Sequence, residues 1–134
     1  MQDSEQLVSR LNVLVVDDME SIRALVKSCL TELGAKSVYL ENDGERAWKR
    51  LNQTNIHLII SDFDMPKMTG LDLLRQVRFS EKFQHIPFVM LTGEVNKKQV
   101  MACIKEGASD YISKPFQPKY LCYRIIKLLG KVKF

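Results

Sequence analysis

Histidine and cysteine are scarce in this chain, with two of the first and three of the second among 134 residues. Cys29, Cys103 and Cys122 stand far apart with no CxxC pairing, each among apolar residues at helical spacing. An odd count without metal-ligand spacing fits neither a disulfide framework nor a zinc site, so all three read as reduced core thiols. No apolar stretch reaches the length that spans a bilayer, and the N-terminus lacks a signal-peptide pattern, so the chain is expected in the cytoplasm, without membrane insertion. Aromatic residues amount to 8%, and the C-terminal stretch does not alternate them with basic ones as single-strand binders do. The net charge of +4 permits an acidic partner, but direct contact with nucleic acid is not expected. The length suits one core without disulfides or structural metal, and leaves no room for a second catalytic or DNA-binding domain.

What is present is a regular alternation of apolar runs and amphipathic stretches. Residues 1–10 are polar and read as a flexible extension, leaving 11–131 as the folded domain. Residues 11–16 form an apolar run that stops at Asp17-Asp18. Ile22, Leu25, Val26, Cys29, Leu30 and Leu33 then repeat at helical spacing up to Gly34, a suitable C′ residue. A short strand at 37–40 is followed by Asn42-Asp43-Gly44, which caps a helix with Ala47, Trp48 and Leu51 facing inward. Residues 56–61 return to extended structure. Thr69 and Asp72 make a T-x-x-D capping box ahead of Leu73, Leu74 and Val77. A fourth strand at 87–91 ends at Thr92-Gly93, and Asn96 and Gln99 suit the start of a helix that carries Val100, Met101, Ile104 and Ala108 and that Gly107 helps terminate. Residues 110–113 make the last strand, running into Lys114-Pro115, and Leu121, Ile125 and Leu128 mark the final helix. Trp48 and the methionines at 65, 68, 90 and 101 read as packing residues, and His57 and His85 as incidental.

Five strands alternating with helices through short connections, and apolar enough to need cover on both faces, make an α/β doubly wound parallel sheet. Ligands of such sheets bind beyond the carboxyl ends of the strands, where the strand order reverses. Those ends carry Asp17, Asp18, Asp62, Asp64, Thr92 and Lys114. Carboxylates gathered there repel by roughly 4 kcal/mol per close pair at an effective dielectric of about 20, so a cation must sit among them. Oxygen ligands without histidine or cysteine favour a hard ion such as Mg²⁺. Together with the Lys114 ammonium and the Thr92 hydroxyl, that set would hold a phosphoryl group. The simplest reaction is attack of Asp62 on phosphorus to give an aspartyl phosphate.

In combination, VVDD at 15–18, DFDMPKMTG at 62–70, MLTGE at 90–94 and GASDYISKPF at 107–116 resemble the receiver domains of response regulators, and the chain is close in size and layout to the stand-alone chemotaxis members. The likeness spans about residues 11–130 and implies a five-stranded, flavodoxin-like sheet. Its strand order, 2-1-3-4-5, is carried over from the family and not read from the residues. The resemblance implies that Asp62 accepts a phosphoryl group from a sensor histidine kinase. Asp17, Asp18 and Asp62, with the backbone carbonyl of Asp64, would hold Mg²⁺ or Mn²⁺. Thr92 and Lys114 would bind phosphoryl oxygens, the Lys114-Pro115 bond would be cis, and Tyr111 would couple to Thr92 as a switch. Asp64 and Glu94 occupy places whose side chains tune how long the phosphoryl group lasts, while Gly93 leaves the acceptor open to its donor.

Arg124, Lys127 and Lys131 form a basic stripe on the last helix. With Lys97, Lys98 and Tyr111 they make an expected surface for a downstream protein target, such as a flagellar motor component. The expected state is a monomer or a weak, phosphorylation-dependent dimer, not an enzyme turning over an external substrate. Two alternatives stand beside this reading: a receiver cut from a larger regulator with its own output domain, and a haloacid-dehalogenase-type phosphatase, which also opens with D-x-D after an apolar strand. The second fits poorly, because here the acidic pair lies upstream of Asp62 and Asp64 runs into Met65-Pro66.

Overall fold

Ten elements alternate along the chain in a computed structural model that describes residues 8–93 and 96–131. They are β1 (Asn12–Val16), α1 (Glu20–Glu32), β2 (Ser37–Glu41), α2 (Gly44–Gln53), β3 (Leu58–Asp62), α3 (Gly70–Phe79), β4 (Phe88–Thr92), α4 (Lys97–Lys105), β5 (Asp110–Ser113) and α5 (Pro118–Leu129). All strand pairs are parallel and the sheet order is β2-β1-β3-β4-β5. β3 and β4 are buried along their whole length, as the unbroken apolar runs demand. The order reverses between β1 and β3, which places a crevice at their carboxyl ends.

Alternation along each strand divides the interior into two cores. Val13, Val15, Leu58, Ile60, Val89 and Leu91 point to one side, where α1 and α5 cover them with Val26, Leu30, Leu121 and Ile125. Leu14, Val16, Ile59, Phe88 and Met90 point to the other, against Ala47, Leu51, Leu73, Leu74, Val77 and Cys103 of α2, α3 and α4. Trp48 packs edge-on against Phe83 at 5.6 Å between ring centroids.

Caps set where the helices begin. Asp43 accepts from the Arg46 amide to start α2, and Thr69 and Asp72 exchange hydrogen bonds in a complete capping box at α3. Gly34 (φ +88°) and Gly107 (φ +96°) end α1 and α4 in the left-handed region, which a side chain would strain. No described helix is long and apolar enough to cross a membrane.

Three expectations need correction. The folded unit begins before residue 11: Val8 is buried in the α1/α5 core and its carbonyl accepts from the Leu11 amide, while residues 1–7 of the expected extension lie outside the described residues. On α4, Met101, expected as a packing residue, is 61% exposed and Ile104 59%, whereas Cys103, expected as a core thiol, is buried. Both apolar sets have helical spacing; the position of the sheet decides which one turns inward. The third correction concerns Arg124 and is described with the site.

Candidate functional site

Four strands deliver the polar residues to one edge. Asp17 follows β1 and is fully buried, Asp62 ends β3 at 5% exposure, Thr92 ends β4 at 2%, and Lys114 follows β5. Ligand oxygens of Asp17, Asp18 and Asp62 lie within 4.8 Å of one another, with Asp18 exposed to solvent. The Lys114 ammonium stands 2.7 Å from Asp17 Oδ2 and 3.1 Å from Asp62 Oδ1, joining the two buried carboxylates. The Lys114 amide donates to the Thr92 carbonyl at 2.7 Å, and the Lys114-Pro115 bond is cis.

Asp17 is held at each of its polar groups. Its amide donates to the Glu41 carbonyl, its carbonyl accepts from Arg23 Nη1 at 2.7 Å, and Oδ1 accepts from the Met19 amide at 2.9 Å. Oδ2 takes Lys114. The bond to Met19 stands in for a side-chain cap that α1 lacks.

Burial, and then the negative charge of Asp17, push the Asp62 carboxyl up to about 6, against the opposing pull of Lys114 and a backbone bond from Asp64. Burial works against the Lys114 ammonium too, but its bonds to Asp17 and Asp62 outweigh that and raise its pKa. The partners differ because Lys114 faces two carboxylates, whereas Asp62 faces one carboxylate and one ammonium. Near neutral pH Asp62 is largely ionised, yet poorly solvated, which suits a nucleophile.

The backbone around Asp62 is crowded. A Cβ on Gly70 would lie 2.1 Å from the Asp62 carbonyl oxygen, so only glycine lets α3 start this close to β3. The Gly70 amide donates to the Phe63 carbonyl, the Phe63 amide to that of Leu91, and Ser61 Oγ to that of Asp62.

Other expected residues fall differently. The Asp64 side chain is exposed and outside the acidic cluster, so its backbone and not its carboxylate is the candidate metal ligand. Tyr111 is half-buried against the α2–α4 core, opposite Met90 of β4. Lys97 and Lys98 are exposed on the first turn of α4, and Lys127 stands 5.9 Å above the exposed Tyr123 ring. Glu94 lies outside the described residues. Arg124 is not a free member of a basic stripe: it forms a two-pronged bond to Asp110, donates to the Tyr120 hydroxyl at 2.7 Å and stacks on that ring. Asp110 lies one strand residue from Tyr111 and claims the guanidinium that the helical pattern alone left facing solvent. Sequence reading missed two further contacts, Arg23 to the Asp17 carbonyl and Gln99 to Thr92; neither belongs to a local motif that could have flagged it.

The donor set of three clustered carboxylates, with no nitrogen or sulfur among them, fits a hard divalent cation. The site is an acidic, lysine-bridged pocket at the switch point of a doubly wound sheet. A family model for the response regulator receiver domain matches residues 13–126, and the chain belongs to that family. Chemotaxis protein CheY1 of Helicobacter pylori is 37% identical over 121 residues, covering 90% of this chain and 98% of the relative. The structure of chemotaxis response regulator CheY4 of Vibrio cholerae superposes with a TM-score of 0.82 at 32% identity, covering 88% of this chain and 98% of that one. The receiver domain of sensor histidine kinase PA1611 from Pseudomonas aeruginosa, solved with a magnesium ion coordinated in its active-site cleft, superposes with a TM-score of 0.81 at 25% identity, covering 90% and 98%. The chain is thus a phosphorylation-activated switch of two-component signalling.

Proposed function

We propose that Asp62 is the phosphoryl acceptor and that the phosphodonor is the phosphohistidine of a sensor kinase. The observation that carries this reading is the Lys114 ammonium bridging Asp17 and Asp62 at 2.7 and 3.1 Å, which puts a nucleophile and a counter-charge at one strand edge. An Asp62 carboxylate oxygen attacks phosphorus, the P–N bond to the donor imidazole breaks, and its electron pair leaves with the imidazole. Lys114 follows the transferred charge by holding one phosphoryl oxygen, and Thr92 donates its hydroxyl to another. Mg²⁺, or Mn²⁺, would be held by Asp17, Asp18 and Asp62 with the backbone carbonyl of Asp64, and when bound it neutralises charge on the phosphoryl oxygens.

Movement of Thr92 toward the phosphoryl group alters the space open to Tyr111 and shifts an existing equilibrium between two arrangements of this edge. The readout is binding of a downstream protein in the cytoplasm, and the chemotaxis relatives favour a motility target. Lys97, Lys98, Lys127 and the Tyr111 edge supply its surface. The exposed Asp64 side chain stands two residues from the acceptor, where its charge slows an attacking water and lengthens the signal. The chain does not turn over an external substrate.

Incubation with a phosphorylated histidine kinase and Mg²⁺ tests this. The expected result is one base-labile phosphoryl group per chain, lost in Asp62→Asn. Continuous release of phosphate from a generic ester would overturn it.

A further inference from the structure

Gln99 stands at the third position of α4, where a glutamine ordinarily reaches back to the amide of the capping residue. Asn96 caps this helix through the Lys98 amide at 2.9 Å. The Gln99 carboxamide oxygen instead accepts from the Thr92 hydroxyl at 3.4 Å. Thr92 is almost wholly buried at the end of β4, and its backbone carbonyl holds the amide of Lys114, the residue that bridges Asp17 and Asp62. One hydroxyl therefore lies between the acidic pocket and the first turn of α4.

We infer that Gln99 is a positioning residue that holds the Thr92 hydroxyl toward α4 in the unphosphorylated chain, and that phosphorylation of Asp62 transfers this hydroxyl from Gln99 to a phosphoryl oxygen. The inference rests on Asp62 being the acceptor. A threonine hydroxyl has one proton to donate, so a strong bond to the phosphoryl group is made at the expense of the bond to Gln99. A phosphoryl oxyanion forms a shorter bond, roughly twice as strong as one between neutral groups, whereas 3.4 Å is long for O–H···O. The exchange accordingly runs toward the phosphoryl group, and Gln99 supplies a modest opposing bias. By linkage, whatever weakens the Thr92–Gln99 bond tightens binding at the acceptor, and occupancy of the acceptor loosens α4 from Thr92. The same helix exposes Met101, Ile104, Lys97 and Lys98, so its release reaches solvent-facing residues.

Beryllofluoride, which adds to a carboxylate as a phosphoryl mimic, is the probe, titrated with Mg²⁺ by calorimetry. Gln99→Met keeps side-chain length and helix propensity but accepts no comparable hydrogen bond, and is expected to bind about two- to fivefold tighter than wild type. Gln99→Glu, a stronger acceptor, is expected to bind a few-fold weaker. In a Thr92→Val background the Gln99→Met effect should vanish, which separates a role through Thr92 from a general effect on helix stability. Unchanged affinity in Gln99→Met, or an effect that persists in Thr92→Val, overturns the inference. Absence of Asp62-dependent binding in the wild-type chain would instead overturn the assignment of the acceptor.

Discussion

Lys114 and Asp17, 97 residues apart in the chain, meet at 2.7 Å, and the same ammonium reaches Asp62 at 3.1 Å. The ammonium thereby joins both carboxylates, and a divalent cation held by Asp17, Asp18 and Asp62 would draw on the same two groups and compete with it. Lys114→Met is expected to lower stability in chelating buffer by on the order of 2–4 kcal/mol, because two buried carboxylates lose their counter-charge. It should also raise the affinity for Mg²⁺, with added Mg²⁺ recovering most of the lost Tm. Thermal melts with and without Mg²⁺, and calorimetric titration, check both; weaker Mg²⁺ binding would contradict the competition.

Asp62 carries a cost to the fold. Burial and Asp17 hold its carboxyl up at about 6, so above that pH the native chain maintains a poorly solvated charge. Asp62→Asn should therefore be more stable than wild type at pH 8 without metal, by on the order of 1–3 kcal/mol. The folded pKa lies above the unfolded one, so wild type takes up its proton earlier when folded and gains stability as pH falls through 6. The gap between the two proteins should close there. Melting curves in chelator across pH 4–8 read it, and a gap that widens on acidification would refute the account.

The two faces of α4 should respond differently to substitution. Met101 is 61% exposed, so Met101→Gln should change stability by less than about 0.5 kcal/mol. Cys103 is buried, and Cys103→Ser should cost about 1–3 kcal/mol because its hydroxyl replaces an apolar contact. Urea denaturation of both variants distinguishes the buried face of α4 from the exposed one.

His57 accepts the Asn12 amide at Nδ1, 2.9 Å away, at the edge of the sheet remote from the acidic pocket. Burial lowers its pKa and the nearby positive charge of Lys36 adds to the effect. The folded chain thus binds this proton less readily than the unfolded one. Its share of stability is complete above pH 6.5 and is lost as pH falls below that value toward the lowered pKa. An NMR titration should place the His57 midpoint below 6.5; a higher midpoint would contradict the hydrogen-bond assignment.

The site was legible because its residues sit where apolar runs stop. Asp17 after Val16, Asp62 after Ser61, Thr92 after Leu91 and Lys114 after Ser113 are local events, and parallel strands bring such ends together without further information. The Thr69–Asp72 capping box was legible for the same reason. What failed were choices that depend on the neighbour across a gap. Whether Met101 packs or faces solvent depends on where β4 and β5 pass beneath α4, and Arg124 faces Asp110 only once α5 has docked on β5. Gln99 had the signature of a helix cap, and only the fold brings the Thr92 hydroxyl within its reach.

The most direct test is chemical trapping of the acceptor. After reaction with a phosphorylated histidine kinase and Mg²⁺, borohydride reduces an aspartyl phosphate to a distinct side chain that peptide mass spectrometry locates. Reduction at position 62 alone, dependent on both donor and Mg²⁺, is the predicted result. Modification at another carboxylate, or a phosphoryl group on histidine, serine or threonine, would contradict the account.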